Sequence, residues 1–173
     1  MTACNIEVIK SVGRYYNAPV GTICYNTDKV PTTVLNKQNI EGFASIILKL
    51  AQNAGVSLDQ EQILLSYQWL EHVAVYANQA VANSTFAESF LRDINKALER
   101  NTYLTGQIFT VTDIAVYYVL YPLIKRLSLT ECESLIHLCR WMKHIQAQPK
   151  ICTNQPPLPL KALNLVVLAP SIH

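Results

Sequence analysis

The side chains here that could bind a metal or act as nucleophiles are five cysteines and four histidines. Cys4, Cys24, Cys132, Cys139 and Cys152 include no C-x-x-C pair, so a thioredoxin-type redox couple and a zinc knuckle both lack their ligands. An odd count without a close pair fits reduced thiols in a reducing compartment. Cys132 and Cys139 are seven apart, on one face of a predicted helix, and read as small buried apolar residues. His72, His137, His144 and His173 show neither H-E-x-x-H nor any other ligand spacing, so no metal and no cofactor is expected. One carboxylate stands out, Asp113 in Phe109-Thr-Val-Thr-Asp-Ile114. With Thr110 as N-cap, Asp113 falls at N3 and can reach back to the Thr110 amide, while Phe109 and Ile114 form a hydrophobic staple. A capping role suits this Asp better than acid catalysis, because water cannot reach the first amides of an inward-facing helix.

Composition narrows the function classes. The chain has 173 residues, 50% hydrophobic and 15% charged, with 14 basic and 12 acidic side chains. Ordinary domains carry about 25% charge. A disordered chain is excluded, since such chains lack the apolar surface this one has. A membrane span is excluded too: Ile114 to Ile124 is about half the length required, and Pro122 interrupts it. The start, Met1 to Glu7, has neither the basic region nor the apolar run of a signal peptide, so a cytoplasmic or nuclear protein is expected. Lys125-Arg126 is the only adjacent basic pair, too little for direct nucleic-acid binding. A protein partner is left to cover the surplus apolar surface.

Apolar spacing predicts the elements that position these groups. Ile6, Ile9 and Val12 suggest a short helix. Gly21–Tyr25 and Pro31–Leu35 read as strands, and Asn26-Thr-Asp28 between them makes a hairpin. Phe43, Ile46, Ile47, Leu50 and Ala51 define a helix over Ile40–Ala54, stopped by Gly55. Further helices are predicted over Asp59–Val81, Ser84–Arg100 with Ser84 as cap, Asp113–Leu127 and Thr130–Gln148. The third of these is apolar nearly all round and therefore central, with a kink at Pro122. Trp69 and Trp141 read as core anchors. A short apolar run, Leu163–Ala169, closes the chain.

Val30-Pro31 heads a strand, where proline costs no ladder bond and a cis peptide is cheap. With the capping box, it gives the chain a resemblance to the glutathione-transferase fold. That fold joins a thioredoxin-like half, with a cis-proline opening a strand, to an all-helical half. Gln68-Trp-Leu-Glu71, Tyr103-Leu-Thr-Gly106, the capping box and Arg140-Trp-Met-Lys-His-Ile-Gln146 are more narrowly similar to the small adaptors of the animal multi-tRNA-synthetase complex. This resemblance spans about Val30 to Gln148.

It implies an α+β, mostly helical chain: a truncated thioredoxin-like subdomain over 1–57, a helical domain over 58–152 and a tail over 153–173. It further implies a non-catalytic scaffold with two association faces. One, on the Ile40–Ala54 and Asp59–Val81 helices with Ile46, Leu50, Tyr67 and Glu71, would receive methionyl-tRNA synthetase. The other, on the last helix with Arg140 and Lys143, would receive glutamyl-prolyl-tRNA synthetase. A nuclear role in the DNA-damage response through checkpoint kinases is implied by the same resemblance. The alternatives are a small glutathione transferase or a transferase-like module of an elongation-factor complex. Against the enzyme, the chain opens on a helix where transferases place a strand and their activating Tyr, Ser or Cys. Ser11, Tyr15 and Tyr16 lie inside or after that helix, and the acidic-plus-Ser pair that holds glutathione reads Glu41-Gly42.

Overall fold

The computed structural model describes residues 3–160; the Leu163–Ala169 run lies outside them. Helix α1 (Ala3–Tyr16) leads into strands β1 (Cys24–Tyr25), β2 (Pro31–Leu35) and β3 (Gln38–Glu41). Helices α2 (Phe43–Asn53), α3 (Gln60–Ala82), α4 (Ser84–Ala97), α5 (Val111–Ile124), α6 (Leu129–Ser134) and α7 (Ile136–Gln146) follow. The result is the expected α+β, mostly helical arrangement.

The predicted hairpin forms with Cys24 opposite Thr32 and Tyr25 opposite Pro31. Asn26 makes its turn: Oδ1 accepts from the amides of Asp28 (3.0 Å) and Val30 (2.9 Å), the Asx arrangement that short polar side chains favour. The Val30–Pro31 peptide is trans, where the resemblance implies cis. Gln38–Glu41 was expected to lie ahead of or at the start of a helix and instead forms β3, antiparallel to β2. Asn36 and Lys37, with φ of 50° and 64°, make the two-residue turn between them. Positive φ at both central positions gives the twist that a tight hairpin needs. Glu41 is therefore a strand residue, and Gly42, at φ 95°, starts α2. Gly55 stops α2 as predicted, at φ 84°; the amides of Gly55 and Val56 return to the carbonyls of Gln52 and Ala51.

Two helix ends differ from expectation. The cap of α4 is Asn83, whose Oδ1 accepts from Phe86, one residue before the predicted Ser84. The last predicted helix is two helices with a break at Leu135. Its first piece starts with a capping box between Ser128 and Glu131. The second has no side-chain cap of its own; Asn95 of α4 accepts from the Leu138 amide at 3.0 Å.

Helix α5 is buried at 12 of its 14 positions, and α1, α2, α3 and α7 all pack on it. It runs through Pro122 and ends two residues later, so the missing proline amide falls in the last turn. A single buried cluster joins Val8, Ile9 and Val12 of α1 to α2, α5 and the later helices.

Candidate interaction surfaces

Asp113 holds the helical half together. Its Oδ2 accepts from the Thr110 amide at 3.0 Å and the Thr110 hydroxyl at 3.3 Å, and its Oδ1 from the Leu104 amide at 3.0 Å and Trp141 Nε1 at 2.9 Å. Burial pushes its pKa above the usual carboxylate range, while the four donors pull it down. Thr110 is buried and Ile114 fully so, while Phe109 is half-buried against the core, as a staple requires. The local motif predicts the Thr110 half of this network. The Leu104 and Trp141 donors arrive from other parts of the chain, and no local pattern marks them. Trp141 is a fully buried anchor; Trp69 is only partly so.

Arg140, beside Trp141, is exposed yet engaged. Its guanidinium donates to the carbonyls of Leu98 (2.7 Å) and Asn101 (3.0 Å), covering the open C-terminal end of α4. Lys143 and His144 are exposed next to it, and the His144 ring nitrogen lies 2.9 Å from the Tyr103 hydroxyl. Thr102, Arg140, Lys143, His144 and Ala147 border an open cleft of about 500 Å3 with no acidic side chain in its lining. The structure thus brings Arg140 and Lys143 into one basic surface.

The α2–α3 surface needs correction. Ile46 and Leu50 are 0% exposed and belong to the core. The apolar stripe of α2 is consumed internally, because α1, α3 and α5 all pack on that helix, so neither residue can touch a partner. What this surface presents is α3. Leu64 (69% exposed), Tyr67, Glu71 and Val75 (56% exposed) follow i, i+3, i+7, i+11 spacing along one face opposite its buried residues. Ile63 lies at the edge of this stripe, and with Tyr67, Leu48, Lys49, Gln52 and Val56 it borders a cleft of about 450 Å3 against α2. Leu64 and Val75 carry the most exposed apolar surface on this face, and their helical spacing with Tyr67, on the side away from Leu70, Val73 and Ala77, is the sequence signal that marks them.

The hydroxyls that could stand in for a transferase nucleophile are poorly suited to it. Ser11 lies inside α1 and accepts from Arg14 at 2.9 Å. Tyr15 and Tyr16 end the same helix, and burial pushes both phenols up, Tyr16 further because it is more deeply buried and Tyr15 and Asp113 lie near it. A hydroxyl that stabilises a thiolate does so by donating a hydrogen bond to it, and a less acidic phenol is the weaker donor. Among the described residues no group of three His, Cys, Asp or Glu side chains could hold a metal ion, and no helix is long and apolar enough to cross a membrane.

Residues 65–149 match a family model described as the nuclear-export cofactor Arc1p. Eukaryotic translation elongation factor 1 epsilon-1 of Homo sapiens is 31% identical over 120 residues, covering 67% of this chain and 68% of that protein. The Mus musculus protein of the same name is 30% identical over the same shares. The chain belongs to the elongation factor 1 epsilon-1 family. Among solved structures, a Gtt2-class glutathione S-transferase of Vibrio parahaemolyticus superposes with a TM-score of 0.63 at 18% identity, over 87% of this chain and 92% of that one. The theta-class glutathione S-transferase of Xanthomonas axonopodis pv. citri, with glutathione bound, gives 0.61 at 16% identity over 85% and 88%. These likenesses establish a glutathione-transferase-like fold. The region matched by the Arc1p model includes Tyr67, Glu71 and Val75 of the α3 stripe, Asp113 and Arg140.

Proposed function

We propose that the chain is a non-catalytic adaptor of the translation machinery that assembles aminoacyl-tRNA synthetases by pairing transferase-like folds. The observation that carries this reading is the exposed apolar stripe of Leu64, Tyr67 and Val75 on α3, continuous with the cleft against α2. Exposed apolar residues in an ordered row mark association surfaces. Membership of the epsilon-1 family and the match to the Arc1p cofactor support a translation-associated role. In the finer form of the proposal, the α2–α3 surface receives the transferase-like domain of methionyl-tRNA synthetase. The basic surface at Arg140 and Lys143 receives that of glutamyl-prolyl-tRNA synthetase. A planar guanidinium suits the second joint because it can stack and pair with a carboxylate at once.

The test is co-purification of the full chain with the isolated N-terminal transferase-like domain of methionyl-tRNA synthetase. A stoichiometric complex at micromolar concentration is expected, and its absence would overturn this reading. Retention on immobilised glutathione together with thiol-conjugation turnover would instead support the small-transferase alternative. We extend the proposal to a cytoplasmic protein with a nuclear fraction that meets checkpoint kinases after DNA damage. Fractionation and immunoprecipitation before and after irradiation test it, and an unchanged nuclear pool without kinase would remove that part.

A further inference from the structure

We propose that Cys132 and Cys139 form a peroxide-sensitive dithiol site that closes to an intramolecular disulfide, independently of any partner. On a continuous helix, residues seven apart are separated by about 10.5 Å along the axis. That exceeds the roughly 7 Å between Cα atoms that a disulfide spans. The chain here is broken: α6 ends at Ser134, Leu135 takes φ −113° and ψ 45°, and α7 begins at Ile136. The corner brings Cys139 Sγ to 3.4 Å from the Cys132 carbonyl, so the two cysteines adjoin across it. Both are free thiols.

The surroundings divide the labour between them. Cys132 is partly exposed and open to a small oxidant. Cys139 is buried, and burial followed by the neighbouring Cys132 pushes its thiol up to about 12. A thiol held protonated in this way reacts poorly with dissolved peroxide, so it is placed as the second partner. Cys152 faces elsewhere, donating to the Gln146 carbonyl at 3.4 Å, and Cys24 sits on β1.

The oxidant is hydrogen peroxide. Cys132 sulfur attacks one peroxide oxygen, the O–O bond breaks, and the departing hydroxide takes the thiol proton as water. This leaves a neutral sulfenic acid at Cys132. Cys139 sulfur displaces the sulfenic hydroxyl, which leaves with the Cys139 proton as a second water. Two thiols have supplied two electrons to one peroxide.

The full chain would be titrated with hydrogen peroxide, quenched with N-ethylmaleimide and digested with trypsin without reductant. Arg126 and Arg140 bound one tryptic segment that contains both cysteines. That peptide is expected to become lighter by two hydrogens and to take up no maleimide, and dithiothreitol should restore two alkylatable thiols. Cys24→Ser should leave the yield unchanged. Cys139→Ser should abolish closure and let Cys132 proceed to sulfinic acid, with an unchanged circular dichroism spectrum. The proposal is overturned if both thiols remain alkylatable while Cys24 is oxidised. Accumulation of sulfinic acid at Cys132 in the unaltered chain, or a disulfide-linked dimer in its place, would also overturn it.

Discussion

At the scale of single residues, Asp113 is the side chain whose loss should cost most. Truncation to alanine would strand the Thr110 and Leu104 amides and the Trp141 indole donor in the core, each without water to replace the carboxylate. Unmade buried hydrogen bonds cost about 1–3 kcal/mol each. We expect Asp113→Ala to lower unfolding free energy by about 3–5 kcal/mol in urea titrations, and Asp113→Asn to cost less because it keeps one acceptor for Leu104 and Trp141. A loss under 1 kcal/mol for the alanine variant would refute the network's importance. Half of this was legible in advance. A capping box is an i, i+3 pattern that any reader of the chain can find, whereas Leu104 and Trp141 reach the carboxylate only through tertiary folding. Arg140 teaches the same lesson in reverse. Its type suggests a partner contact, but its bonds to Leu98 and Asn101 make it part of the fold as well.

Among the elements, α6 shows how a pH effect follows from one cap. Glu131 accepts from both the hydroxyl and the amide of Ser128, and these bonds hold its carboxyl below the ordinary 4.5. A depressed carboxyl contributes stability above its unfolded pKa and loses it as pH falls through the folded one. The α6 cap should therefore be intact at neutral pH and release below about 4.5. A carboxyl carbon NMR titration should place the Glu131 midpoint below that of a model peptide, and Ser128→Ala, which removes the hydroxyl but keeps the amide, should return it part of the way. The last turn of α1 offers a second test. A Cβ on Gly13 would collide with Val20 Cγ2 and come within 3.1 Å of the Ala18 carbonyl. Although alanine favours helix by about 1 kcal/mol over glycine, Gly13→Ala should destabilise the chain by about 1–3 kcal/mol through overpacking. Adding Val20→Ala should recover part of it; a stabilised single variant would contradict the close approach.

Element boundaries were legible where the chemistry is local, as at Asn26 and Gly55. Strand β3 escaped because Gln38-Asn39-Ile40-Glu41 is too polar to alternate clearly, and Ile40 continues the helical spacing of Phe43 and Ile47. The break at Leu135 escaped because apolar residues keep their period across it. Beyond it, Asn95 supplies from α4 an acceptor for the start of α7, a tertiary contact that no local pattern marks.

For the whole molecule, the spacing on α2 identified an apolar stripe but not what covers it. Ile46 and Leu50 face α1, α3 and α5, and the surface available to a partner moves to α3. Leu64→Glu or Val75→Glu should therefore reduce affinity for the methionyl-tRNA synthetase domain at least about tenfold, with little change in melting temperature. Calorimetric titration beside thermal unfolding separates the two effects, and unaltered binding would exclude the α3 stripe. For the second surface, Arg140→Ala should weaken the glutamyl-prolyl partner and also cost about 1 kcal/mol of stability through the lost bonds to α4. Lys143→Glu should affect binding alone, so it is the cleaner probe.

Helix α5, buried on nearly every side, carries α1 and α2 as well as α3 and α7. It acts as an axle common to both proposed docking sites, neither of which includes one of its own residues. Heat or mutation that loosens this axle should melt the chain in a single cooperative step and release both synthetases together. In a cell, the two enzymes would then be lost from the assembly at the same moment.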